Sequence, residues 1–139
     1  MPANTSPIFT LVPNATVSTI AAANTARDGS GTLVTAFTAG TNGSRLDFII
    51  FTSSQATAGA SSARVQRVFL TDTSGLNPTI ISEIVLSAVT ASTTAIGATA
   101  TITFTNGLIL KSGQVVKVAQ SVYASAADNT SVLARGGDY

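Results

Sequence analysis

The amino-acid sequence predicts an all-β fold: a single-domain antiparallel β-sandwich, jelly-roll-like, with an extended N-terminal arm. Three observations carry that expectation. Apolar residues recur with a period of two, turn-forming residues separate the runs, and no window shows the i, i+3, i+4, i+7 stripe of an amphipathic helix. The 139 residues fit one domain, since compact domains run to roughly 100–150 residues and bury about two-thirds of their extended surface at that size. The expected division is residues 1–13 for the arm and 14–139 for the sandwich.

Pro2, Pro7 and Pro13 bracket the short apolar run Ile8 to Val12. Proline removes a ladder donor and favours extended backbone at and before itself, so this segment reads as an arm or an edge strand. Alternation puts Phe9 and Leu11 on one side, and each large apolar side chain left in water forgoes roughly 1.5–3 kcal/mol of burial. Ile8, Phe9 and Leu11 are therefore candidate assembly contacts, reaching a neighbouring copy or a larger shell.

Further runs follow at Val17–Ala21, Leu33–Thr38, Arg45–Thr52, Arg64–Thr71, Ile80–Leu86, Thr99–Thr105, Leu108–Leu110, Val115–Val122 and Ser131–Ala134. Thr99 to Thr105 shows the pattern most plainly, with threonine on one face and Ala100, Ile102 and Phe104 on the other. Phe37, Phe48, Phe51, Phe69 and Phe104 all fall in such runs and are assigned to the core. Asn42-Gly43 and Asn106-Gly107 predict type I′ hairpins, because both central positions of that turn need positive φ. Lys111 to Gln114 supplies another turn and Asp72 to Pro78 a longer one. Gln55 to Ala63 and Val89 to Gly97 lack alternation and read as loops at the rim of an oligomer. Tyr139, an amphipathic aromatic at the end of the sequence, is a fourth candidate contact.

The chemistry the sequence excludes is extensive. It contains no cysteine, no histidine and one glutamate, Glu83. Thiolate sites, imidazole bases and paired-carboxylate glycoside hydrolysis lose their usual residues. Asp28, Asp47, Asp72, Asp128 and Asp138 are scattered without the spacing of a calcium loop. Asp28-Gly29-Ser30-Gly31 lacks the Lys-Ser/Thr of a phosphate loop and reads as a turn. Arg64 and Arg67, three apart in a strand, point to opposite faces and form no basic stripe. They are expected to be one exposed residue and one rim salt bridge, while Arg45 and Asp47 share a face and can pair. No catalytic, cofactor-binding or metal-ligating residue is assigned. The expectation is a non-enzyme with no nucleic-acid or membrane partner. The longest apolar stretches are too short to span a bilayer, and the opening residues lack the basic and apolar regions of a signal peptide.

Charge is the unusual quantity. Charged residues make up 9% of the chain and its formal net charge is +1, against about 25% charged in ordinary soluble domains. Threonine, serine, alanine, asparagine and glycine take their place. A neutral surface is cheap to desolvate, and interface cores are depleted in charge for that reason. The composition predicts a homo-oligomer, with a trimer favoured among closed symmetries.

Several blocks resemble a family of small β-rich virion structural proteins of tailed bacteriophages and prophages. They are Met1-Pro2-Ala3-Asn4-Thr5-Ser6-Pro7-Ile8-Phe9, Ala23-Asn24-Thr25, Asp28 to Thr32, Phe37 to Arg45, and the closing Gly136-Gly137-Asp138-Tyr139. From Thr52 to Ala98 the likeness is only of length and strand rhythm. The resemblance implies a virion role. Size, neutrality and missing catalysis narrow it to a head decoration, or cement, protein. Such a protein would be made in the bacterial host cytoplasm and bind the major capsid protein on the capsid exterior. The alternative is a receptor- or glycan-binding module of a tail or head fibre, which would need exposed aromatics or a metal site; apart from Phe9 of the arm, only Tyr123 and Tyr139 are left outside the predicted core for that.

Overall fold

The computed structural model describes residues 9–55 and 59–139, and Ile8 lies outside them. The described residues form strands β1 (Val12–Ile20), β2 (Val34–Thr38), β3 (Ser44–Ser53), β4 (Gly59–Ala60), β5 (Arg64–Leu70), β6 (Thr79–Leu86), β7 (Thr90–Ala91), β8 (Thr99–Leu110), β9 (Val115–Gln120) and β10 (Thr130–Asp138). The helical content among them is one 3-10 turn, Ala126–Asp128. Two four-stranded sheets, ordered β1-β10-β3-β8 and β2-β9-β5-β6, pack face to face. Every pairing within them is antiparallel. This is the antiparallel β-sandwich the period-two pattern predicts.

Strand order follows a simple rule. Apart from the β5–β6 hairpin, each connection between successive long strands crosses from one sheet to the other. Edge strand β1 lies beside edge strand β2, and β8 beside β6, so the sheets are stacked edge over edge. Phe37, Leu46, Ile49, Phe51, Val68, Val116, Val118 and Val132 fill the space between, each fully buried. Their neighbours in sequence point the other way, as the pleat demands.

Both predicted Asn-Gly hairpins are corrected. Asn42-Gly43 joins β2 to β3, which belong to different sheets; it is a tight corner closed by the Gly43 N–H donating to Gly40 O at 3.0 Å. Asn106 and Gly107 do adopt positive φ, 65° and 76°, but inside one long strand. Leu46 pairs with Leu108 and Phe48 with Thr103, so Phe104 to Gly107 loop out against Asp47 alone. The chain continues forward because Leu108 to Leu110 rejoins the same neighbour, β3, instead of pairing back on Thr99 to Thr105. A Cβ on Gly107 would overlap the Arg45 side chain, which explains glycine here. The same irregularity turns Phe48 outward, half-buried on the outer face and out of the core. Phe37, Phe51 and Phe69 are fully buried and Phe104 partly so.

The arm boundary also moves. Val12 and Pro13 belong to β1, pairing with Asp138 and Gly137, and Pro13 is tolerated because β1 is an edge strand. The short runs at Val17 and Ser131 extend into strands of nine residues each. The two loops, Gln55 to Ala63 and Val89 to Gly97, are joined by a small ribbon in which β4 pairs with β7.

The larger correction concerns the arginines. Arg64 is no exposed strand residue; its side chain is 0% exposed and sits 3.7 Å from the Asp128 carboxylate, itself 1% exposed. Its guanidinium donates to Thr130 Oγ1, Ser62 O, Ser53 Oγ and Asn129 O at 2.8–3.4 Å. Asp128 in turn accepts from the N–H groups of Ser62 and Ala124 at 2.6 and 2.7 Å. Gln120 links the two sides, accepting from Thr130 Oγ1 at 2.8 Å and donating to Asp128 O at 3.0 Å. A polar plug thus closes one end of the sandwich, and it ties together β3, β5, β9, β10 and the loops around Ser62 and Ala124. Arg67 is also buried, donating to Glu83 Oε1 at 2.9 Å and to Asn24 O at 2.9 Å.

Candidate assembly surface

The two outer faces of the sandwich differ. On the β2-β9-β5-β6 sheet, Arg67, Phe69 and Ala119 alternate with core residues and yet are buried. The segment between β1 and β2 lies against this face at Arg67 and at Gln120, next to Ala119. Asn24 N–H donates to Gln120 O at 2.8 Å, Arg67 reaches Asn24 O, and Arg27 pairs with Glu83 at 2.8 Å. Asn24 also shapes the segment, donating through its side chain to Ser30 O and Thr32 O at 2.8 and 2.9 Å. The resembling blocks Ala23–Thr25 and Asp28–Thr32 are therefore the parts of a built lid. Beside it lies a shallow depression of about 220 Å³ lined by Arg27, Ile80, Ile81, Ser82 and Glu83. That is smaller than the roughly 300–1,000 Å³ of small-molecule sites.

Among the described residues, the outer face of the β1-β10-β3-β8 sheet has no comparable lid; Thr10 touches it at one end, against Gly137. Its register places Val17 beside Leu133, Leu133 beside Ile50, and Ile50 beside Thr101. The flanking rows are Thr19-Ser131-Thr52-Thr99 and Ala15-Arg135-Phe48-Thr103. Arg135 is the one charged residue in these three rows. Val17 is 72% exposed, while Ile50, Leu133 and Phe48 are half-buried.

Strand β1 is the unexpected part. Its polar residues Asn14, Thr16 and Ser18 face inward, opposite Ala134 and Val132, and Asn14 reaches Thr38 O on the other sheet. Its odd-numbered residues face out. The strand begins at Val12, and before it Thr10 lies against Gly137, the partner of Pro13, so the outer stripe of β1 is Pro13, Ala15 and Val17. An amphipathic strand ordinarily turns its apolar side to the core; this one turns it to solvent.

Among the predicted contacts, the structure brings Leu11 and Tyr139 to the same end of this sheet. Leu11 N–H donates to Asp138 O at 2.7 Å, and Tyr139 N–H to Gly43 O at 3.2 Å. Phe9 and Leu11 are 73% and 80% exposed, and Tyr139 is half-buried. Asp138 organises the end by accepting from Asn14 Nδ2 at 3.0 and 3.2 Å and from Ser44 Oγ. The resembling blocks Phe37–Arg45 and Gly136–Tyr139 thus meet in space. Val17, Ile50 and Leu133 escape the sequence reading. Their signal is the apolar alternation itself, which looks like core until the register shows its direction.

Electrostatics leave this surface with one charge, Arg135, outside the salt bridges. Arg45 pairs with Asp47 at 2.8 Å, Arg27 and Arg67 share Glu83, and the Arg64–Asp128 pair is internal. Asp28 and Asp72 close their own turns. Hydrogen bonds from Ser74, Leu76 and Asn77 bring the Asp72 carboxyl down to about 2. Among the described residues, Lys111, Lys117 and Arg135 stand outside these salt bridges. Neither a protein-family model, nor a curated protein, nor a solved structure matches this chain.

Proposed function

We propose that the chain is a bacteriophage capsid decoration protein. It binds the assembled head, contacts the major capsid protein from outside and stabilises the shell by bridging subunits. The observation that carries this reading is the nearly charge-free outer sheet with its inverted edge strand, whose Val17 is 72% exposed. A face depleted in charge, with apolar side chains set among threonines, is the kind of surface that interfaces use. The strand order supports a jelly-roll-like wrapping, an architecture used by viral capsid and lectin domains. The mechanism is energetic: a ligand that binds only the assembled state favours that state by mass action.

The test is electron microscopy of virions labelled for this chain. Label on the head shell supports the reading; label on the tail replaces it with the fibre-module reading. A second measurement addresses the arm. Removing residues 2–10 leaves the described strands intact, since β1 begins at Val12, so the β-type circular dichroism spectrum is retained. Head binding and self-association weaken. Loss of the β spectrum on this deletion would make the segment part of the folding core instead.

A further inference from the structure

We propose that Asn106–Gly107 is a site of self-modification. In the folded protein the Asn106 side chain deamidates through a cyclic imide, while the identical pair Asn42–Gly43 is kept inert by its place in the fold.

The chemistry needs only water. Hydroxide from solvent takes the proton of the Gly107 N–H, and the nitrogen attacks Asn106 Cγ. The bond from Gly107 N to Cγ forms and the Cγ–Nδ2 bond breaks; Nδ2 leaves as ammonia, taking its third proton from water and so returning the hydroxide. A water molecule then opens the imide at either of its carbonyls. The product is aspartate or its backbone-extended isomer, isoaspartate, at position 106, with the carboxyl proton released to solvent. Nothing is oxidised or reduced. Glycine after the asparagine favours the attack, because no Cβ hinders the approach or restricts the rotation that brings nitrogen and carbon together. The sequence holds two such pairs, at 42–43 and 106–107.

Their surroundings separate them. The peptide between the two residues must rotate before the nitrogen can reach Cγ. At the first pair it is pinned: the Gly43 N–H donates to Gly40 O at 3.0 Å, and Gly43 O accepts from the Tyr139 N–H at 3.2 Å. Gly43 is buried, and its Cα faces Leu110 O. Attack there requires the corner between the sheets to open first. At the second pair the ladder passes from Phe48–Thr103 directly to Leu46–Leu108, so Asn106 and Gly107 belong to no rung. Asn106 is exposed and Gly107 half-buried. The neighbour that crowds Gly107 is the side chain of Arg45, which is 42% exposed and can swing aside where backbone could not.

The product fits the second place as well. Isoaspartate lengthens the backbone by one methylene, which a looped-out segment accommodates and a tight corner does not. The new carboxylate is the first charge on β8, whose residues Thr99 to Leu110 include none. It takes the formal net charge of the chain from +1 to zero.

The test follows the folded protein in warm, mildly alkaline buffer by peptide mapping and isoelectric focusing. Aspartate and isoaspartate are expected at position 106 at least about tenfold faster than at position 42, where a hydrogen bond and a buried corner must open first. A more acidic band appears in step with them. Asn106→Gly, which keeps the positive φ without strain, does not develop that band at the same rate. In concentrated guanidinium chloride the two pairs react at similar rates, which assigns the difference to the fold. Equal rates at the two positions of the folded protein overturn the proposal, as does faster reaction at position 42. So does an intact Asn106 over a time in which the unfolded chain converts it, or the same acidic band from Asn106→Gly. A tenfold difference that persists in guanidinium chloride also overturns it, because local sequence and not the fold would then set the rates.

Discussion

Replacing Asp128 with alanine should cost about 3–5 kcal/mol of folding stability, the usual consequence of stranding a buried charge. Arg64 would keep its hydrogen bonds to Thr130, Ser62, Ser53 and Asn129 but lose the one anion near it. The N–H groups of Ser62 and Ala124 would lose their acceptor as well. A domain of this size is stable by roughly 5–15 kcal/mol in all, so the variant would be marginal. Replacing both partners, Arg64→Met with Asp128→Leu, should recover part of the loss, because an apolar pair leaves no charge uncompensated. Urea unfolding measures both. A single alanine variant within 1 kcal/mol of the parent would mean that the plug is solvated in solution.

The same carboxylate sets the response to acid. Burial pushes the Asp128 carboxyl up, but donation from Ala124 and Ser62 and the nearby Arg64 charge outweigh it, and it rests below its ordinary 3.8. Asp28 is also lowered, by hydrogen bonds from Ser30, and Asp72 falls to about 2. A carboxyl more acidic in the folded state stabilises fully above its unfolded value and loses that contribution as pH falls through the folded one. With no histidine in the chain, stability should be nearly level from neutral pH down to about 4 and fall below 3.8. In Asp128→Asn the fall should be shallower, from a lower plateau. A midpoint that already declines between pH 7 and 5 would contradict this account.

Legibility in the sequence divides along physical lines. Period-two patterning reports which residues share a face, and it locates all eight long strands at least in part. It cannot report which sheet a strand joins. Asn42-Gly43 and Asn106-Gly107 are identical as text, yet one turns a corner between sheets and the other loops out of a continuing strand. Nor does it say which side is in. Phe9, Leu11, Ala15 and Val17 alternate like core residues; only pairing with β10 shows that Asn14, Thr16 and Ser18 took the inner side. Arg64 looked exposed because a strand end beside a loop usually is. Its partner Asp128 lies more than sixty positions away, beyond any local pattern. Phe9 and Leu11 stood out as contact candidates because apolar residues between prolines have few local ways to be buried.

Two adjacent glycines near the C-terminus should respond very differently to the same change. Gly136 sits where the β10–β3 ladder shifts register, and a Cβ there would overlap the backbone carbonyl of Arg45 and crowd Leu46 Cα at 2.9 Å. Backbone cannot swing aside as a side chain can, and β10 and β3 are the two central strands of their sheet. Gly136→Ala must therefore part the strands. Overpacking of this kind costs about 1–3 kcal/mol, and each ladder hydrogen bond lost adds about 1 kcal/mol. A fall in Tm of roughly 10 °C follows. At Gly137 the new methyl would meet the Thr10 side chain, 2.6 Å from its Cβ, and Thr10 precedes the strand. Gly137→Ala should shift the segment bearing Phe9 and Leu11 while leaving the sandwich intact, with less than about 1 kcal/mol lost. Calorimetry with sedimentation separates the two. Gly136→Ala should lower Tm, and Gly137→Ala should weaken self-association at nearly unchanged Tm. Equal Tm losses would show that Thr10 is held as firmly as the ladder, and the contact segment would then have to begin before it.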